Sequence, residues 1–203
     1  MRILITFILS TLLISVNSLK ADIQNIKYDL HLRVLGVQVK IGEITSYFEI
    51  TDEEYKLEYD LKSESLVQLI SPTKGIGKIN GKYINSKLIP ENYNYTYERK
   101  GKIKSTYIEF LDSNVINSKV IPPFEKSKLT PVNDPMLKNV IDPSTGIMLM
   151  GDYHLNENCS TDYRIFDGKR RYDLTYTSIE EKDSYKVCTL QRQKLGGFKK
   201  DGN

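Results

Sequence analysis

The residues of this chain that could carry out chemistry are few and scattered. Asp152, His154, Glu157 and Cys159 lie close together and are possible metal ligands, but their spacing matches no zinc pattern. The other histidine, His31, alternates onto the solvent face of a predicted strand. The sequence contains no nucleophile elbow, no H-E-x-x-H motif and no phosphate-binding glycine loop. We therefore predict no metal, no cofactor, no catalytic residue and no enzymatic activity.

Two interpretations stay open beside that prediction. Paired carboxylates in strands leave no spacing signature, so a glycan-directed hydrolase is an alternative if two of them face each other about 5–10 Å apart in a cleft. The basic run Lys169-Arg170-Arg171 follows a predicted hairpin turn. It could contact phosphate headgroups or glycans, or it could simply be the solvated shoulder of a hairpin.

Tyrosines and methionines predict a binding groove. Tyr93, Tyr95 and Tyr97 project from one face of one predicted strand, where their rings could line a concave surface. The three methionines after Met1 fall within one predicted helical insert, and flexible thioethers suit a surface that repacks around apolar ligands. Ordinary strand and helix packing is the alternative for both. The predicted groove residues are Tyr93, Tyr95, Tyr97, Met136, Leu137, Met148 and Met150.

The two cysteines, Cys159 and Cys188, predict a disulfide in an exported chain. A simple three-strand meander with a turn near Glu181 would place Cys188 opposite Thr175, with Cys159 on the far side of the middle strand. Two strand spacings are about 9.6 Å, beyond the roughly 7 Å limit for a bridge. Either Cys159 lies in a loop that crosses the middle strand, or both cysteines are free.

Period-2 alternation over most of the chain indicates a mainly β protein. In 26–34 the even residues are apolar and the odd residues polar, whereas in 55–61 the odd residues are apolar and the even residues charged. The apolar parity reverses at Gly42, which predicts a β-bulge. Asn80-Gly81 predicts a two-residue hairpin turn, and Leu66–Ile70 a helical turn. We predict a large curved antiparallel sheet or open β-barrel of about ten strands.

The insert near 134–151 breaks the strand pattern. Asp134-Pro135 and Asp142-Pro143 each combine a favourable N-cap with proline at the first helical position. We therefore predict two short helices with a kink between them. Strands resume at 162–166, and Asp167-Gly168 predicts the turn of the next hairpin.

The first 21 residues have the form of a secretory signal peptide. A basic start is followed by a mainly apolar run of 14 residues, Ile3–Val16, and then by a short polar stretch that ends in a small residue. The remaining chain, 22–203, is predicted to be one domain with no transmembrane segment. Removing Arg2 and Lys20 leaves 27 basic and 26 acidic residues, a net charge of +1, so the composition gives no support for a nucleic-acid partner.

Four segments together resemble one protein family. They are LGVQVKIGEI, IPENYNYTYERKGK, VNDPMLKN and CSTDYRIFDGKRRYDLTY. The chain is similar to a proteobacterial envelope family called domain of unknown function 3108. The resemblance implies a periplasmic protein whose fold is similar to the lipoprotein carriers of the envelope, and it brings no catalytic residue. Compared with that family the chain ends early, in GGFKKDGN, which predicts a C-terminally truncated domain.

These observations predict an exported envelope protein that binds a lipid or other amphiphile between sheet and helices. The alternative is a non-enzymatic structural or assembly partner of another envelope protein. That alternative predicts an exposed strand edge or apolar patch without an enclosed pocket.

Overall fold

Ten β-strands and two short α-helices make up the described part of the fold. The computed structural model describes residues 22–34, 37–151, 159, 161–181 and 186–200. In chain order the elements are β1 Asp22–Val34, β2 Val37–Ile50, β3 Glu54–Ser63, α1 Ser65–Ile70, β4 Thr73–Ile84, β5 Lys87–Arg99, β6 Lys102–Leu111, β7 Asn114–Ile121, α2 Pro143–Gly151, β8 Tyr163–Phe166, β9 Arg171–Glu181 and β10 Lys186–Gly196. Two 3₁₀ turns, Lys126–Lys128 and Asp134–Leu137, lie between β7 and α2.

The strands form two open antiparallel sheets. Strands β1 to β7 pair in chain order as a seven-stranded meander, and β8 to β10 form a three-stranded meander. The predicted mainly β class, the ten strands and the open curved sheet are confirmed. Between the two sheets, the described part of the chain from 122 to 151 forms turns and α2.

Alternation places the core on one face of the large sheet, called here the inner face. On β3, Tyr55 and Leu57 are each 2% exposed, while Lys56 between them points outward and is exposed. Helix α2 and β8 cover part of this face. The buried core cluster is Phe48, Tyr55, Leu57, Ile79, Leu88, Tyr93, Ile108, Phe110, Val140, Met148 and Phe166.

The predicted bulge in β2 is confirmed. Leu30 pairs with Gly42 and His31 pairs with Lys40, so Ile41 is the extra residue on β2. A Cβ atom on Gly42 would lie 2.8 Å from the carbonyl oxygen of Lys62, which explains the glycine beside the bulge. The bulge reverses which residues face inward. Apolar residues at odd positions before the bulge and at even positions after it therefore lie on the same face of the sheet.

The predicted hairpin at Asn80-Gly81 is wrong. Strand β4 continues through both residues, and the turn lies at Asn85-Ser86, where both residues have positive φ. Gly81 is needed for a close approach and not for a turn, because its Cβ would lie 2.7 Å from the ring of Tyr55. The Asn80-Gly81 pair resembles a turn in the sequence. The glycine is required instead by close packing against neighbouring strands.

The helical insert contains two short helical pieces, as predicted. The first is the 3₁₀ turn Asp134–Leu137, whose N-cap is Asn133 and not the predicted Asp134. The second is α2, which begins at Pro143 directly after Asp142. The oxygen Oδ1 of Asp142 accepts hydrogen bonds from the backbone N–H groups of Ser144 and Thr145, both at 2.9 Å, so the second predicted cap is confirmed.

A disulfide joins Cys159 to Cys188, with Cα atoms 6.2 Å apart. Cys188 lies on β10 opposite Ile179, not opposite Thr175, because β9 runs on to Glu181 and the turn comes later than predicted. Cys159 lies in a bend before β8 and not in a strand. Because the bridge exists and Cys159 lies outside the strands, the alternative of two free cysteines is wrong.

Several sequence predictions fall outside the described residues. They concern the signal peptide at 1–21 and the possible metal ligands Asp152, His154 and Glu157. Within the described ranges, no group of three or more metal-ligating side chains comes together, and the absence of a metal site stays a prediction. None of the helices in those ranges has the length and apolar character that crossing a bilayer requires.

Candidate functional site

A groove of about 880 Å³ lies against the inner face of the large sheet. Strands β1, β2, β3 and β5 to β7 supply its floor and sides, and the start of α2 forms one wall. The segment Pro122–Phe124 and the β8–β9 turn border the groove beyond the edge of the sheet. The two sheets and the helical segment thus meet around one cavity.

A row of tyrosines forms the floor. Ring centroids are 5.9 Å apart for Tyr59 and Tyr95, 6.4 Å for Tyr93 and Tyr95, and 5.7 Å for Tyr95 and Tyr97. Tyr93 is buried, whereas Tyr95 and Tyr97 are half-buried. Burial raises the pKa of the Tyr93, Tyr95 and Tyr59 hydroxyls, so these groups stay protonated at neutral pH and can donate hydrogen bonds.

Glycines on β4 allow these rings to lie across the sheet. Gly77 pairs with Tyr59 on one side and with Tyr95 on the other. A Cβ on Gly77 would lie 2.2 Å from two ring carbons of Tyr59, and one on Gly75 would lie 2.8 Å from the hydroxyl of Tyr95. The aromatic floor therefore depends on the missing side chains of the strand between its tyrosines.

The wall formed by α2 is fastened to the floor by buried hydrogen bonds. The hydroxyls of Tyr59 and Ser144 are 2.9 Å apart, and so are those of Tyr55 and Thr145. Thr145 in turn donates to Oδ2 of Asp142 at 2.6 Å. Asp142 is fully buried, and the loss of hydration raises the pKa of its carboxyl although its hydrogen bonds act in the opposite direction.

The predicted groove residues do not all belong to this cavity. Tyr93, Tyr95, Tyr97 and Met148 line it. Leu137 lines a second cavity of about 640 Å³ beside it. Met136 and Met150 are half-buried and are not among the lining residues of either cavity.

Other lining residues gave no signal in the sequence. Ile147 on α2 is 51% exposed and faces the groove. Phe124, after β7, lines both cavities, and its approach depends on the path of a segment that forms no strand. Lys104 on β6 also lines the groove, opposite Tyr97 in the strand register. Only the fold brings these residues to the tyrosine row.

The basic run after β8 splits into two roles. Lys169 and Arg170 line the groove. Arg171 is 1% exposed, and its guanidinium donates to the carbonyl of Met136 at 2.9 Å and to the Asp173 carboxylate at 2.6 Å. The interpretation of a solvated shoulder is therefore wrong for Arg171, which ties the helical insert to the small sheet.

The carboxylates that line the groove are already engaged. Asp29 is 2.8 Å from the ammonium of Lys40, and this contact lowers the pKa of the Asp29 carboxyl. Asp167 accepts hydrogen bonds from the backbone N–H groups of Lys169 and Arg170 at its own turn. Both carboxylates are therefore engaged by groups of the protein itself.

The chain belongs to a family of proteins of unknown function, DUF3108, whose model matches residues 27–202. No curated protein and no solved structure matches it. The family carries no assigned activity, so the groove itself is the guide to function.

Proposed function

We propose that this protein is a non-enzymatic binding protein that holds the apolar part of a lipid or other amphiphile in the groove. The observation that carries the proposal is the cavity of about 880 Å³ with its tyrosine floor. Small-molecule sites are typically about 300–1,000 Å³ and are lined mainly by hydrophobic and aromatic side chains. The basic lining residues lie on β6 and the β8–β9 turn, which suits a molecule that is apolar at one end and polar at the other.

The mechanism is reversible burial of an apolar chain. Each methylene group removed from water contributes about 0.8 kcal/mol before the cost of association is subtracted. The tyrosine rings offer apolar area, and their protonated hydroxyls can donate to a polar end of the ligand. Because the hydrophobic contribution is not directional, such a groove would accept chains of related length and shape.

We also propose that the protein works outside the cytoplasm, in the periplasm. The disulfide between Cys159 and Cys188 supports this, because such bonds persist in oxidising compartments. The signal peptide predicted at 1–21 is the second reason.

A neutral fluorescent probe tests the proposal. We expect N-phenyl-1-naphthylamine to bind the purified protein and Ile147→Gln to weaken binding about tenfold, about 1.4 kcal/mol. Ile147 is exposed at the groove, so the change leaves the core intact. Ile116→Gln on β7 is the matched control, because Ile116 is 62% exposed and lies outside the groove lining.

Two results would overturn the proposal. One is the absence of probe binding together with the absence of any lipid, by mass spectrometry, in gently purified protein. The other is an equal loss of probe binding in the Ile147 and Ile116 variants, because binding would then not depend on the groove.

Exposed apolar groups on the large sheet favour a second candidate, a structural or assembly partner in the envelope. Ile103 and Ile116 are each 62% exposed, and β1 and β7 each have one partner strand in the described part of the chain. Free strand edges and apolar patches are typical of protein interfaces. A photo-crosslinker at position 116 should then capture a protein in the periplasm, and one at position 147 should capture a lipid if the first proposal holds.

A further inference from the structure

We infer that the groove takes an anionic amphiphile, whose carboxylate or phosphate headgroup is bound by Lys169 and Arg170 of the β8–β9 turn and by Lys104 of β6. This inference rests on the proposed function and adds the chemical class of the ligand. The three cations line the same groove as the tyrosine row. They therefore border the space in which an apolar chain would lie.

The carboxylates near these three cations do not neutralise their positive charge. In the described part of the chain, neither Lys104 nor Lys169 has a carboxylate oxygen within 4 Å. Arg170 has one at 3.7 Å, from Asp167, whose other oxygen accepts two backbone N–H groups of the turn. The other lining carboxylate, Asp29, is taken by Lys40 at 2.8 Å.

Lys169 occupies a partly dry position. Its ammonium lies 5.3 Å from the centroid of the Phe124 ring, and the side chain is half-buried. Burial lowers the pKa of Lys169, and the neighbouring charge of Arg170 lowers it further. A cation that has lost hydration and stands beside other cations gains from a bound anion.

The second cavity extends the positive region. It shares Val120, Pro123, Phe124 and Lys169 with the groove, so Lys169 lies where the two cavities meet. Its lining includes four lysines and no aspartate or glutamate. The lysines are Lys119, Lys126, Lys169 and Lys200. This charge distribution complements a negative headgroup and disfavours a positive one.

The chemistry of the cations fits both oxyanions of the proposed class. Lysine offers a compact charge with three rotatable donors, and arginine a planar fork that can hold a carboxylate or phosphate with two bonds. With the headgroup at Lys169, the chain would extend over Tyr95 and Tyr93 toward Met148. One ligand would thus use both the apolar floor and the basic border.

A matched pair of probes tests the inference. The full protein is titrated with 11-(dansylamino)undecanoic acid and with its methyl ester, which has the same chain and no charge. We expect the acid to bind about tenfold tighter, with a preference that weakens as salt is added. In the double variant Lys169→Gln, Arg170→Gln the preference for the acid over the ester should fall below about twofold. Lys87→Gln, at the start of β5 and outside the groove lining, should keep the preference.

Each contrary result has a distinct meaning. Equal binding of acid and ester to the unaltered protein would overturn the inference and leave the proposed function standing. A preference for the acid that survives the double variant would also overturn it. Displacement of the acid by an equal concentration of sodium acetate would show a small-anion site instead of an amphiphile site. Failure of both probes to bind would overturn the proposed function together with the inference.

Discussion

Substitution of Asp142 tests how α2 is held over the groove. Its carboxylate accepts two backbone hydrogen bonds at the start of α2 and one from the hydroxyl of Thr145, which contacts the hydroxyl of Tyr55. We compare Asp142→Ala with Asp142→Asn. The first removes every acceptor, and the second keeps an acceptor of the same shape without the charge.

The alanine variant should lose about 3 kcal/mol of unfolding free energy. Loss of an N-cap costs about 0.5–2 kcal/mol, and a hydrogen bond to a charged group is worth about 1.5–3 kcal/mol. Removal of a buried charge offsets part of this loss, because that carboxylate gave up its hydration on folding. The hydroxyls of Thr145 and Tyr55 would also be left facing a small cavity.

The asparagine variant should lose about 1 kcal/mol or less. Both backbone bonds go to Oδ1 of Asp142, and the amide oxygen of asparagine can replace it. The amide group would then donate to Thr145, which can donate in turn to Tyr55, since either hydroxyl of that pair can be the donor. The main loss is that the Tyr55 hydrogen would need a new partner.

The pH dependence gives a second measure. Burial raises the pKa of the Asp142 carboxyl above its unfolded value of about 3.9. The folded state therefore binds the proton more tightly than the unfolded state does. The stability that this group contributes is fully present below the unfolded pKa and is lost as the pH rises through the folded pKa. The asparagine variant cannot titrate, so its stability relative to the unaltered protein should improve from pH 4 to pH 7.

Urea unfolding of the oxidised protein, followed by far-ultraviolet circular dichroism, measures both effects. Asp60→Ala and Asp60→Asn are the controls, because Asp60 is exposed on the outer face of β3. The reasoning is refuted if Asp142→Asn is as destabilising as Asp142→Ala. It is also refuted if the difference between Asp142→Asn and the unaltered protein does not change with pH.

Three other substitutions address the sheet floor, its outer face and the bridge. Gly77→Ala should cost about 1–3 kcal/mol by overpacking, because the new Cβ would force the Tyr59 ring away from α2; urea unfolding measures the loss. Glu43→Gln should remove stability that is present above about pH 4.5 and lost as the pH falls toward 2, since hydrogen bonds from lysines lower the Glu43 pKa to about 2; acid unfolding measures this. Replacing Cys159 and Cys188 by serine should cost about 3–4 kcal/mol by the chain-entropy account of a crosslink 29 residues apart, read from the urea midpoint.

Controls and contrary outcomes are specific to each of these. Lys78→Ala, on the opposite face of β4, should leave stability nearly unchanged, and a loss equal to that of Gly77→Ala would contradict overpacking. Glu53→Gln, at an exposed position, should still lose unfolding free energy as the pH falls from about 4.5 toward 2, whereas Glu43→Gln should not. For the bridge, an unchanged midpoint after both serine substitutions would show that the crosslink does not restrict the unfolded chain.

The sequence predicted the elements well where one face of a strand is buried. On β3, alternation of tyrosine and leucine with charged residues identified both the strand and its inner face, because burial has the same period of two as the pleat. The cap at Asp142 and the bulge beside Gly42 were equally visible, since each depends on neighbouring residues. The tyrosine row of the groove followed from the same alternation.

Long-range contacts explain what the sequence could not predict. Gly81 resembles a hairpin residue locally, but its role is set by the backbone carbonyl of Ile89 and the ring of Tyr55 on the two adjacent strands. Cys188 was placed opposite the wrong residue because a register depends on where the turn falls. Met150 follows Met148 by two residues on α2 and so points to a different side of the helix, and Met136 lies on the separate 3₁₀ turn; neither lines the groove.

The amino-acid sequence by itself determined the mainly β class, the faces of the strands and the presence of an aromatic row. These are local properties, fixed by periodicity, caps and turns. Only the tertiary structure decided that the strands form two sheets, that α2 and Phe124 close over the tyrosines, and that Lys104 meets Lys169 and Arg170 at the border. The physical reason is that packing and charge act between residues that are distant in the chain, and no local pattern records which of them will meet.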